Sequence, residues 1–232
     1  MIKISTGSKC IDSNIGGGIS HETVTLIYGE PETGKTTLTI QCAVSCALQN
    51  YNTLFVDCDN TFSTKRLSQL SADKFDQVAK QIILAKPKNF QEQTAVIDLI
   101  QDYTSKNFGL IIIDTFTSLY RAEVADLSGK AFGLNRELNR QLAILAQTAK
   151  IRKIPVIITS QVRSVFEDSN VGVAPVANRV LKFWADTIIA MKPTGYPQTI
   201  KAVLEKTRHN QQEVTCYVQI VEAGIHDTEF LG

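Results

Sequence analysis

The chain has 232 residues, 44% of them hydrophobic and 20% charged, with a formal net charge of +1. That length supports one sizeable core and the composition is that of a soluble globular protein; with no apolar run long enough to span a bilayer and no charged-then-apolar leader, a cytoplasmic address without a membrane partner is expected. The five cysteines, Cys10, Cys42, Cys46, Cys58 and Cys216, are odd in number and lack metal-ligand spacing, which argues against a disulfide framework and reads Cys42 and Cys46 as packing residues.

In chain order, Gly16, Gly17 and Gly18 mark a turn ahead of a strand-like run at residues 23–28. Gly29, Glu30, Pro31, Glu32, Thr33, Gly34, Lys35 and Thr36 then match G-x-x-x-x-G-K-[ST], and a helical pattern covers 35–49. Strand, glycine loop and helix in that order form the setting in which backbone N–H groups and a helix N-terminus cradle phosphates. Lys35 is placed to reach the β and γ oxygens, Thr36 to ligate Mg2+, and Thr37 to line the same loop, so ATP and Mg2+ are the expected ligands. Further strand-like runs fall at 52–56, 81–85, 110–113, 155–159 and 187–191, and helical periodicity at 90–104 and 134–153. The alternation predicts an α/β fold, a mostly parallel sheet flanked by helices. Period-two patterns at 200–205 and 213–221 predict an antiparallel extension at its C-terminal side.

Two strand ends carry acids. Leu110, Ile111, Ile112 and Ile113 run into Asp114, which is placed to hold a water on Mg2+ at the ligand-binding end of such a sheet. Asp57, Cys58 and Asp59 close the 52–56 run; a carboxylate there orients the attacking water, or else serves as a turn acid or helix cap. Charge is uneven along the chain. Residues 121–210 hold 14 Lys/Arg against 7 Asp/Glu, a net of +7, and the remainder carries −6, which points either to an anionic partner or to a solvated face.

Taken together, residues 4–8 with Gly16 to Ile19, the phosphate loop, Phe55 to Phe62, Ile113 to Arg121, and Ile158 to Val162 resemble the core of the RecA/RadA recombinase superfamily. Residues 179–185 and 202–208 are most similar to its short archaeal RadB group. The resemblance implies one RecA-type P-loop core over residues 1–232 with no preceding helix-hairpin-helix domain, and an ATP- and DNA-binding protein that assists homologous recombination and repair. Asp59 falls where most of the family has its water-activating glutamate, and Gln161 on the glutamine that senses the γ-phosphate. Lys206 and Arg208 fall where related ATPases reach a neighbour's nucleotide. Two apart on a strand, these cations face one side, which suits that role or a solvated edge.

The resemblance places the DNA loops near 124–135 and 163–179, inside the basic segment. Lys130, Arg136, Arg163 and Arg179 are the expected phosphate contacts, with Phe132 and Phe166 the only aromatic platforms for single-stranded DNA. Three departures accompany it. Asp59 is shorter than glutamate by about 1.5 Å, which implies slow hydrolysis; Ala177 and Asn178 replace two frequent glycines, implying a stiffer hinge; and no Phe-x-x-Ala filament tether occurs. Protein partners would be a recombinase or other repair factors, alongside copies of the chain itself. A KaiC- or helicase-like ring ATPase and a non-hydrolysing ATP-dependent adaptor are the alternative readings.

Overall fold

The computed structural model describes residues 3–104, 107–126, 131–167, 170–175, 177–208 and 212–229, with backbone alone for 163–167 and 170–175. In chain order these form β1 (Lys3–Ile4), α1 (Lys9–Asn14), β2 (Ile19–Ser20), β3 (Val24–Gly29), α2 (Lys35–Ala47), β4 (Asn52–Asp57), α3 (Thr64–Ser71), α4 (Phe75–Ala79), β5 (Ile82–Ala85), α5 (Phe90–Asp98), α6 (Ile100–Tyr103), β6 (Phe108–Asp114), α7 (Ser118–Asp126), α8 (Ala131–Arg152), β7 (Val156–Glu167), β8 (Asn170–Pro175), α9 (Asn178–Trp184), β9 (Thr187–Pro193), β10 (Thr199–Lys206), β11 (Val214–Val221) and β12 (Gly224–Asp227).

The large sheet runs β12-β11-β10-β9-β3-β7-β6-β4-β5. From β9 to β5 neighbours are parallel, and from β9 to β12 they are antiparallel. This is the mostly parallel, helix-flanked α/β sheet expected, extension included. Its inner strands are apolar on both sides because helices cover both faces. Leu26, Leu54, Val56, Ile111 and Ile113 pack under α5, α8 and α9, while Ile27, Phe55, Leu110 and Ile112 pack under α1 to α4. Strand alternation sorts neighbours such as Ile111 and Ile112 into different cores.

Helix starts follow local chemistry. Ser8, Ser63 and Asn89 each accept a hydrogen bond from the N–H three residues on, at 3.1, 3.1 and 2.8 Å, which satisfies an otherwise orphaned donor. The predicted 90–104 helix is interrupted at Leu99, between the fully buried Ile97 and Ile100. Strand β7 outruns its prediction, because beyond Gln161 it turns from the parallel sheet into an antiparallel pairing with β8.

One expectation is corrected. Cys10 and Cys216 are joined by a disulfide, their Cα atoms 5.9 Å apart, within the span such a bridge requires. The partners are 206 residues apart in sequence, and only the packing of α1 against β11 and β12 brings them together. Cys42, Cys46 and Cys58 are free and buried, so the packing role read for the first two stands.

Candidate functional site

Four neighbouring strands deliver their C-terminal ends to one edge of the sheet. Register places Gly29 of β3 beside Gln161 of β7, and Asp57 of β4 beside Asp114 of β6. Edges of this kind, where strand order reverses around the first strand, are the ligand crevices of open α/β sheets.

The loop from Gly29 to Thr36 is shaped by what surrounds it. A Cβ on Gly29 would lie 2.1 Å from the Met191 carbonyl oxygen, and one on Gly34 would meet Ile220 Cδ1 at 2.6 Å; Gly34 also holds φ +83°, a conformation that glycine adopts without penalty. Gly34 caps α2 with no side chain, leaving the first amides of that helix to face the loop. Glu32, Gly34, Lys35, Thr36, Thr37 and Ile220 line an open cavity of about 250 Å³. Ile220 had no sequence signal, since its strand is remote from the loop.

Lys35 is only 8% exposed. Its Nζ donates to the Glu30 carbonyl at 2.5 Å and to Thr33 Oγ1 at 3.5 Å. Burial lowers the Lys35 pKa, and Asp114, Asp59 and Glu30 oppose that shift. A buried cation served by one carbonyl and one hydroxyl is chemically matched to phosphate oxygens, which are stronger acceptors.

Asp114 is fully buried. Thr159 Oγ1 donates to its Oδ1 and Thr39 Oγ1 to its Oδ2 at 3.3 Å. Burial pushes the carboxyl above its ordinary range, hydrogen bonds from Thr159, Thr36 and Thr39 pull it back, and nearby Asp59 adds to the rise. Thr36 and Asp114 therefore form the oxygen-rich pair that suits Mg2+. Thr39 is the helical neighbour of Thr36, three positions on, a relation readable from sequence; Thr159 was not.

The two acids at the end of β4 differ in their surroundings. Asp57, with no exposure, accepts from the N–H groups of Thr61 and Phe62 at 2.9 and 3.2 Å and pairs with Lys86 at 3.4 Å. It builds the loop. Asp59 instead faces Gln161, whose Nε2 donates to Asp59 Oδ2 at 3.5 Å, while Arg121 Nη1 donates to Gln161 Oε1 at 2.7 Å. Arg121 thus orients the Gln161 amide, with nitrogen toward Asp59.

Lys206 and Arg208 lie elsewhere. Strand β10 runs antiparallel to β9, so Lys206 stands beside Ile188, which itself stands beside Leu26, three residues before Gly29. Lys206 Nζ donates to the Ala185 carbonyl at 2.5 Å, and Arg208 pairs with Asp186 at 2.8 Å and reaches the Glu22 carbonyl at 3.3 Å. Arg208 lies past the strand end, and a register irregularity falls between Leu204 and Lys206, yet both heads converge on the 185–186 segment. They occupy the sheet edge opposite the phosphate loop.

Of the expected DNA contacts, Arg136 on α8 and Arg179 on α9 are exposed, and Phe132 is 84% exposed. Lys130 and the side chains of Arg163 and Phe166 lie outside the described residues. Ala177 holds φ +55° just before α9, the left-handed conformation at which a glycine costs nothing and an alanine about 1 kcal/mol.

The Rad51 family model matches residues 1–228. The chain belongs to the Rad51 family. This Rad51-family chain is 34% identical over 229 residues to the DNA repair and recombination protein RadB of Thermococcus kodakarensis, covering 97% of the chain and 100% of the relative. It is 33% identical over 215 residues to the RadB protein of Methanococcus maripaludis strain C5, covering 93% and 96%. A crystal structure of the RadB recombinase superposes with a TM-score of 0.83 at 34% identity, covering 97% of this chain and all of that one. Both the superfamily and the RadB likeness read from the sequence are borne out. Among the described residues no helix is long and apolar enough to cross a membrane.

Proposed function

We propose that this Rad51-family chain is a RadB-like DNA repair and recombination protein that binds ATP with Mg2+ and single-stranded DNA, and hydrolyses the nucleotide slowly. The observation that carries this reading is the convergence of Lys35, Thr36, Asp114, Asp59 and Gln161 at one sheet edge, around a loop whose glycines leave its amides open.

Each residue has a defined task. The loop amides and Lys35 hold the β and γ phosphates. Thr36 would hold Mg2+ directly and Asp114 through a water; the ion supplies charge neutralisation on the phosphate oxygens. Asp59 takes the proton of the attacking water, and Gln161, held by Arg121, meets the γ-phosphate. A positioned base contributes roughly 10² to 10⁴ in rate, and the short reach of Asp59 forfeits part of it. Arg136 and Arg179, with Lys130 and Arg163, take DNA phosphates, and Phe132 offers a stacking face. Lys206 and Arg208 cannot serve the chain's own nucleotide from the opposite edge; they serve a neighbour's, or else only brace the 185–186 segment to which they are bonded. Residues 1–232 act as a single core in the cytoplasm, with copies of the chain itself, a recombinase or other repair factors as protein partners.

Phosphate release at steady state, with and without oligothymidine, tests this reading. The expected outcome is slow turnover, raised by the oligonucleotide, and abolished in a folded Lys35→Ala variant. ATP binding without any turnover would make the chain an adaptor that uses ATP as a conformational ligand. Unchanged ATP affinity and turnover in Lys35→Ala would refute the site.

A further inference from the structure

Helix α9 opens within the 163–179 segment that the resemblance gives to the second DNA loop, and its C-terminal end is gripped from β10 and the residues just past it. Lys182 Nζ donates to Glu205 Oε2 at 2.7 Å, Lys206 holds the Ala185 carbonyl, and Arg208 pairs with Asp186. The second oxygen of Glu205 goes elsewhere. Glu205 Oε1 accepts from the Tyr28 hydroxyl at 2.5 Å, and the Lys182 ammonium lies 5.5 Å from the centroid of the Tyr28 ring. Tyr28 is 2% exposed and is the last residue before the phosphate loop.

Three properties make this cluster more than packing. It joins α9, β10 and β3, which are distant in sequence. Its members are mutually satisfied, as a polar network with buried parts must be: the carboxylate receives both a phenol and an ammonium, the Glu205 side chain is only 16% exposed, and Lys182, at 37%, is the member that opens to solvent. Burial, reinforced by Glu205, raises the Tyr28 pKa, so the hydroxyl stays a donor. The strand it acts on has no slack, since a single Cβ on Gly29 would already collide with Met191; close-packed interiors transmit displacement instead of absorbing it.

We propose that Tyr28, Glu205 and Lys182 are positioning residues that link α9 to the strand feeding the phosphate loop, so that DNA binding and ATP binding are energetically coupled through them. The inference rests on the ATP- and DNA-binding reading above. Movement of α9 shifts the Lys182–Glu205 pair, and Glu205 passes the shift to Tyr28 and thence to Gly29. Coupling of this kind is reciprocal, so either ligand reports it.

The test measures the affinity of a fluorescent oligothymidine with and without saturating Mg2+ and a non-hydrolysable ATP analogue, and the affinity of the analogue alone. In the wild type the analogue should shift oligothymidine affinity by at least about fivefold. In Tyr28→Phe and in Glu205→Gln, which remove a hydroxyl and a charge without changing shape, the shift should fall below about twofold while each ligand alone binds as in wild type. Lys182→Arg should retain the shift and Lys182→Met lose it. A wild-type shift in both Tyr28→Phe and Glu205→Gln overturns the relay. So does loss of affinity for each ligand alone with the shift preserved, which is the mark of packing, or a wild type that binds both ligands without any shift. A wild type that does not bind the analogue at all removes the nucleotide reading itself, and the relay with it.

Discussion

Asp59 is the residue on which the rate of the proposed reaction turns. It lies within 3.5 Å of the Gln161 amide and close enough to Lys35 and Asp114 to act on both electrostatically, so under the proposed function the short reach of its side chain is what limits the rate. Asp59→Glu should raise turnover about tenfold, equivalent to about 1.4 kcal/mol of barrier, with ATP affinity unchanged because the phosphate loop sets it. Steady-state kinetics with the affinity measured separately checks both halves, and a flat response at saturating protein sinks the carboxylate explanation. Much at this scale was legible beforehand. The phosphate loop, Asp114 and Gln161 follow from motif and resemblance, because each sits on a contiguous stretch with its own pattern. Thr159, Ile220 and the orienting role of Arg121 were not, since each meets the site through contacts between distant strands and helices. The resemblance already singles out Asp59 over Asp57, which apolar patterning alone does not separate. The amides of Thr61 and Phe62 closing on Asp57 show that this acid builds the loop, while Asp59 faces Gln161.

Elements were easier to read than their ends. Buried parallel strands announce themselves as apolar runs, and those at 52–56 and 187–191 were found nearly to the residue; the turn of β7 into a hairpin with β8 was missed because the β pattern continues unbroken while its partner changes. The disulfide belongs to this scale as well. Cys10 on α1 and Cys216 on β11 tie the N-terminal segment to the strand that carries Ile220, and Gln41 of α2 bonds both N–H and C=O of Ile225 on the adjoining edge strand, at 2.7 and 3.0 Å. Cross-linking residues so far apart restricts the unfolded chain strongly. Cys10→Ser should therefore lower unfolding free energy by about 2–4 kcal/mol in oxidising buffer and by almost nothing in a reducing one, where the wild type should already match the variant. Denaturant titrations of both forms with and without dithiothreitol make the comparison; a wild type insensitive to reductant would contradict it.

For the whole molecule, the placement of Lys206 and Arg208 matters most. If they complete a neighbour's site, turnover per subunit should climb with protein concentration, and Lys206→Ala combined with Arg208→Ala should flatten that climb while leaving ATP affinity at high dilution intact. The Arg208–Asp186 pair is 46% and 30% exposed, and pairs that open to water contribute little to stability, so the double variant should fold. A dilution series of both proteins decides the matter, and turnover independent of concentration in the wild type would remove these cations from catalysis.

The reversal of chain direction at β10 has a consequence for symmetry. Phosphate loop and cation pair sit on opposite edges of one sheet, about five residues or roughly 16 Å apart along β3; if the pair serves a neighbour's nucleotide, a subunit would carry a socket at one pole and a plug at the other. Plug and socket on opposed poles do not suit a compact two-fold dimer, in which identical patches face each other. They suit a head-to-tail contact, in which the rotation between successive subunits decides whether the series closes into a ring or continues as an open helix. An open series would leave one socket unfilled, so that n subunits would hold n − 1 completed sites, whereas closure into a ring would complete all n.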